Sequence, residues 1–186
     1  EDEGYDAIFI ENNFDLEGTN LEEIHLKGSG DFNAIGDAKE NGLYGNSGNN
    51  YLDGKGGADI MSGGAGDDYY VVNQYDKLIT NSDGTTTLIR GDQVVEGILN
   101  PAGYVFGDSG GIDTIEQWDD KRFYSQDSNG NWFDTGNYHN LQSNVENVIL
   151  KGDAKVAFGN ELDNIITGNE QDNFINGLAG DDTYIY

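Results

Sequence analysis

Glycine recurs every nine residues in two separated stretches of this 186-residue chain, and that period constrains the fold more than any other feature. Stepping by nine from Gly36 gives Gly45, Gly54 and Gly63; stepping from Gly159 gives Gly168 and Gly177. The first stretch reads GDAKENGLY, GNSGNNYLD, GKGGADIMS and GGAGDDYYV, and the second GNELDNIIT, GNEQDNFIN and GLAGDDTYI. Two more positions keep phase. The sixth is Asn41, Asn50, Asp59 and Asp68, then Asn164, Asn173 and Asp182. The eighth is Leu43, Leu52, Met61 and Tyr70, then Ile166, Ile175 and Tyr184. A flexible Gly/Asn linker would hold no apolar residue in register with Gly and Asp.

Each position has a physical task. The first six residues turn the chain through backbone that glycine enters without a steric penalty. The last three form a short strand whose middle side chain points inward, since strand neighbours face opposite ways. Two nonapeptides complete one coil, so residues 18 apart stack. Stacked coils pair as parallel strands, and their turns bring amide, carboxylate and main-chain oxygens across a gap of ionic size. Ca²⁺ takes six to eight such oxygens. The expected fold is all-β: parallel β-roll blocks with flanking strands and a hairpin insertion.

Composition agrees. There are 35 acidic against 9 basic residues, for a formal net charge of -26. Such a chain repels itself, makes a poor partner for nucleic acid or anionic membrane, and attracts cations. Eight Phe, 11 Tyr and 2 Trp are too many for a solvating tail. With no Cys, no disulfide braces it. No apolar run of about 18 residues offers a membrane span. The repeat is cut in mid-pattern at Tyr186, so a larger parent chain with further repeats beside these is expected.

The units resemble the GGxGxDxUx repeats of the RTX, or haemolysin-type calcium-binding, family. GGAGDDYYV at 63–71 matches every defined position when Tyr70 is the large apolar residue. The resemblance implies a parallel β-roll, type I secretion from a Gram-negative bacterium to the medium or cell surface, and folding on Ca²⁺ outside the cell. The 18-residue rule pairs Asn50 with Asp68, Asn41 with Asp59, and Asn164 with Asp182, while Asn173 meets Lys155. By resemblance, main-chain carbonyls complete the shells: Gly45, Ser47, Gly64 and Gly66 for the first pair, Gly57 for the second, Gly180 for the third. About three ions are expected, with affinities near the 10⁻⁴–10⁻³ M of extracellular modules. Asn at position six offers an oxygen without charge, so those sites are weaker.

The flanks repeat as well. Residues 21–28 (LEEIHLKG) parallel 145–152 (VENVILKG), and Gly4-Tyr5-Asp6-Ala7-Ile8 parallels Gly111-Ile112-Asp113-Thr114-Ile115. Both pairs read as strand and are expected to add rungs to the rolls. The chain divides into a first unit, 1–73, with its roll at 36–71; an inserted segment, 74–110; and a second unit, 111–186, with its roll at 159–185. Hairpins are predicted at 77–89, around Asp83-Gly84, and at 122–133, around Asn129-Gly130. Helix signals are thin, at most a turn or two near 16–24 or 138–146.

Other chemistry is weak. Gly107-Asp108-Ser109-Gly110-Gly111 spells a serine-protease nucleophile motif, but the two histidines, His25 and His139, lie in no matching context. Residues 127–131 (DSNGN) begin like an EF-hand loop, yet Gly comes fourth and no Glu closes it. No HExxH is present. The segment itself is expected not to be an enzyme. Two alternatives stand beside the calcium-folding module: an ancillary domain of a secreted hydrolase, or a ligand-binding module of an adhesin or cytolysin. In the latter, Trp118, Phe123, Tyr124, Trp132, Phe133 and Tyr138 would grip a cell-surface glycan.

Overall fold

A computed structural model describes residues 4–73, 92, 94, 111–117, 141 and 144–186, with strand backbone at 77–80, 86–89, 93, 98–99, 105–106, 122–126 and 132–138. Every regular element among the described residues is a strand. The nine-residue period sends successive strands to alternate sides of a flattened coil, so strands of one side stack as a parallel sheet. The short sheet orders Ala7–Ile10, Glu23–Leu26, Gly42–Tyr44, Ile60–Ser62 and Gln93–Val94. The long sheet orders Phe14–Asp15, Asn33–Ile35, Tyr51–Asp53, Tyr69–Val72, Thr114–Gln117, Asn147–Leu150, Ile165–Thr167 and Thr183–Ile185. Val156–Phe158 pairs in parallel with Phe174–Asn176. The molecule is a parallel β-solenoid of the β-roll kind.

Registers follow the 18-residue step. Leu43 lies opposite Met61, Leu52 opposite Tyr70, and Ile166 opposite Tyr184. The flanking segments enter the same columns. Tyr70 is followed by Ile115, then Val148, then Ile166, so the long sheet runs through both glycine-rich blocks. Ala34, Leu52, Tyr70, Ile115 and Ile166 have no exposed surface, and Val148 is 1% exposed. Removing such a column from water is the main favourable term in a roll this thin. Ile24, Leu43, Met61 and Val94 from the other side close the same core, with Leu16 joining it at the end of the Phe14–Asp15 strand.

Outward positions stack in rows, as identical registers require. Phe9, His25 and Tyr44 form a ladder with ring centroids 4.5 Å apart at each step, and Tyr51 lies 5.6 Å from Tyr69. Hairpin pairing is observed between Lys77–Thr80 and Thr86–Ile89 and between Arg122–Gln126 and Trp132–Tyr138; Ile98–Leu99 with Val105–Phe106 adds a third pair with no clear sequence signal. The turn residues 81–85 and 127–131, the 107–110 part of the protease-like motif, Trp118 and His139 lie outside the described residues. No helical turn forms at 16–24. The chain instead bends tightly, with Thr19 N–H and Oγ1–H both donating to Leu16 O at 2.9 and 2.7 Å.

Candidate metal centre

The turns are built by two hydrogen bonds that use the position-six side chain. Within a turn, the position-two N–H donates to the position-six amide oxygen: Asp37 to Asn41 at 2.8 Å, Asn46 to Asn50 at 2.8 Å, Asn160 to Asn164 at 2.9 Å and Asn169 to Asn173 at 2.9 Å. Between turns, the position-six N–H donates to the carboxylate 18 residues on. Asn41 N–H reaches Asp59 Oδ1 at 2.8 Å, Asn50 N–H reaches Asp68 Oδ1 at 2.7 Å, and Asn164 N–H reaches Asp182 Oδ1 at 3.0 Å. The three stacking pairs thus meet through backbone and side chain together. Lys155 stacks beside Asn173 through the Val156–Phe174 register, and Phe174 N–H donates to Lys155 O at 2.7 Å.

Glycine is required where these oxygens converge. A Cβ on Gly36, Gly45 or Gly159 would strike the carbonyl oxygen of Gly54, Gly63 or Gly177, and would also meet the Asn Oδ1 of its own turn. At position four, Gly57, Gly66 and Gly180 have φ of +129°, +112° and +112°, where a side chain is strained. Gly57 packs on the Lys39 carbonyl, Gly64 on Asn46, Gly66 on Gly48 and Gly180 on Leu162. The turns therefore present stacked main-chain carbonyls beside the position-six oxygens. Ser47 is exposed on its turn.

The electrostatics mark Asp59. It has no exposed surface, and its Oδ2 has no hydrogen-bond partner. Burial pushes its carboxyl up to about 8; the Asn41 N–H opposes this, and the Asp92 and Asp37 charges reinforce it. A carboxylate so placed favours either a proton or a cation. Two lysines of this end of the roll are engaged elsewhere: Lys55 Nζ sits 2.7 Å from Asp53 Oδ2, and Lys27 Nζ lies over the Phe9 ring at 4.8 Å.

Sequence reasoning placed no ligand on Asp113 or Glu146, yet the structure puts both in the position-six column. Asp68 N–H donates to Asp113 Oδ1 at 2.8 Å, and Asp113 N–H to Glu146 Oε2 at 2.8 Å. The same bond joins Asp6 N–H to Glu22 Oε2 at 2.7 Å, in the parallel flank. The signal was present as an acidic residue two places before an inward apolar one: Asp113 before Ile115, Glu146 before Val148.

No group of three or more His, Cys, Asp or Glu side chains gathers among the described residues. Each gap offers one or two acidic oxygens, an amide oxygen and carbonyls. Hard oxygen donors without imidazole or thiolate suit Ca²⁺ rather than a transition metal. The orphaned, buried Asp59 oxygen and the glycine-walled cradles fit that ion. Fold and donor set together define a calcium-binding parallel β-roll. The family model of the RTX calcium-binding nonapeptide repeat matches residues 36–72 and 158–186, with four copies, so the two blocks belong to that family. No curated protein and no solved structure matches the chain.

Proposed function

We propose that this segment is a structural module of a larger exported protein, unfolded where Ca²⁺ is scarce and folded by it outside the cell. The observation that carries the reading is the burial of carboxylates in the turns: Asp59 at 0% and Asp68 at 2% exposure, in a chain of net charge -26. Burying an uncompensated charge costs several kcal/mol. The turns form only on folding, so the free energy of cation binding becomes folding free energy. At 100 times the dissociation constant, one ion adds about 2.7 kcal/mol of stability. Asp59, Asp68 and Asp182, with Asn41, Asn50 and Asn164 and the turn carbonyls, would hold the ions.

Type I secretion from a Gram-negative bacterium is the setting the repeat family favours, since an unfolded anionic chain suits passage through a channel. The segment serves no catalytic role of its own. His25 stacks between Phe9 and Tyr44 and bonds Glu23 Oε2 at 2.8 Å on the outer face of the short sheet. It is thereby committed to packing. The test is far-UV circular dichroism and sedimentation of the purified chain in excess chelator and in 5–10 mM Ca²⁺, as a rough working range. A disordered, expanded chain in chelator that gains strand signal and compacts on calcium addition is expected. A spectrum and sedimentation coefficient that ignore chelation would overturn the switch.

A further inference from the structure

We propose a further cation site where the inserted segment returns to the roll, between the carboxylates of Asp59 and Asp92. It rests on the calcium-dependent reading above and adds a ligand from outside the nonapeptide pattern.

The short sheet continues past the first block. Gln93 lies opposite Ile60 and Val94 opposite Met61, so Val94 takes the inward place and Asp92 the position-six place of the next rung. Asp59 N–H donates to Asp92 Oδ1 at 3.3 Å, the bond that also links Asn41 to Asp59 and Asn50 to Asp68, across 33 residues instead of 18. The turn itself is rebuilt around the insertion. Asn73 N–H donates to Asp92 Oδ2 at 2.9 Å, as position-two N–H groups do elsewhere, and Asn73 Nδ2 donates to Lys55 O at 2.9 Å. The described chain thus leaves the coil after Asn73 and rejoins it at Asp92, the two ends held together by that bond.

Charge separates this turn from the one before it. Under Asp59 stands Asn41, a neutral amide; above it stands a second carboxylate. Asp59 and Asp92 are 0% and 6% exposed. Asp59 Oδ2 is buried without a hydrogen-bond partner. Lys55, in the same turn as Asp59, is tied to Asp53 instead. Two stacked buried carboxylates repel in a low-dielectric setting unless a proton or a cation lies between them. Ca²⁺, with Asp59 Oδ2 and the Asp92 carboxylate as its charged ligands and carbonyls or water for the rest, answers that need. The ion would pin the root of the insertion to the roll.

The test counts Ca²⁺ on the whole chain by native mass spectrometry and titration calorimetry, for wild type, Asp92→Asn and Asp92→Glu. Amide correlation spectra monitor the fold of each. Asp92→Asn is expected to hold one ion fewer, its remaining affinities shifting by less than about threefold. Trypsin cleavage at Lys77 and Arg90 in saturating calcium should quicken about tenfold, as local opening becomes easier. Asp92→Glu, which keeps the carboxylate, should hold the wild-type number. A folded Asp92→Asn binding as many ions as wild type, as tightly, overturns the site and leaves calcium-dependent folding standing. A wild type that binds none overturns both. Should Asp92→Asn fail to fold, Asp92→Ser takes its place under the same spectra: one ion fewer supports the site, and the wild-type number bound as tightly overturns it.

Discussion

The two glycine-rich blocks share local chemistry and differ in what covers them. In each, the last unit carries at position eight a tyrosine whose hydroxyl accepts the N–H of the glycine seven residues earlier: Gly63 to Tyr70 at 2.7 Å, Gly177 to Tyr184 at 3.1 Å. Yet Tyr70 is fully buried and Tyr184 is 43% exposed. Among the described residues, the rung of Tyr70 is sandwiched between those of Leu52 and Ile115, while that of Tyr184 is stacked on one side only. The first block contributes Leu43, Leu52, Met61 and Tyr70 to the larger core; the second contributes Ile166 to a smaller cluster against which Ile175 packs partly buried. The repeat thus dictates turn and rung locally, whereas burial depends on the rungs above and below.

The largest contrast is expected with pH in the absence of calcium. Folding raises the Asp59 carboxyl from 3.8 to about 8, so the folded state binds the proton more tightly than the unfolded chain. The sign follows from linkage: that stabilisation is complete below 3.8 and is lost as pH rises through about 8. In chelator, acidification from pH 8 towards 4.5 should restore hydrogen-exchange protection at 36–71 by an amount on the order of a few kcal/mol. Residues 159–185, whose Asp182 is only half-buried, should gain less. Asp59→Asn should flatten the profile of the first block. A profile that is unchanged in that variant, or equal gains in both blocks, would break the contrast.

Next in size is the space beside position one. A Cβ at Gly45 would run into the main-chain carbonyl of Gly63, which cannot yield. At Gly168 the nearest atoms are the Asn173 side-chain oxygen at 2.5 Å and Ile185 O at 3.6 Å. Gly45→Ala should cost about 3 kcal/mol or more and Gly168→Ala about 1 kcal/mol, read from thermal unfolding in saturating calcium. Equal costs would mean that the tightness of the stack does not depend on its cover.

Much of this was legible in the residues. The nine-residue period gave the coil, its direction and the pairing of Asn50 with Asp68, because one period sets both the turn and the register. What the period could not show was continuity. Asp113 lies 45 residues beyond Asp68 instead of 18, and Glu146 is 33 beyond Asp113. Their rungs interrupt the glycine pattern, since Tyr69–Val72 and Thr114–Gln117 need only a β register and an inward apolar residue to pair. Asp92 was hidden for the same reason, by the segment between it and Asn73. Spacing reads contacts that are local in the chain; a rung rejoined after a long excursion leaves only the short acid-x-apolar trace.

Core truncation sharpens the comparison further. Leu52 has no exposed surface, whereas Ile175 is only partly buried. Leu52→Ala should destabilise by about 3 kcal/mol and Ile175→Ala by about 1 kcal/mol, by calorimetry at fixed calcium. A reversal would place the better-packed core in the second block.

The smallest and most specific contrast removes one oxygen from each tyrosine. Tyr70→Phe keeps the ring in the column but leaves the Gly63 N–H without its acceptor in a buried position. An unmet buried donor costs about 1–3 kcal/mol, more than the bond itself contributed. Gly177 is buried but Tyr184 is 43% exposed, so Tyr184→Phe leaves the Gly177 N–H closer to solvent and should cost less, about 0.5–1 kcal/mol. Because the two substitutions are chemically identical and the two hydrogen bonds have the same sequence spacing, any difference measures the cover alone. Equal, small losses would show that water enters the first block at Gly63, and the long sheet would then not seal the core where it passes from the nonapeptides to Thr114–Gln117.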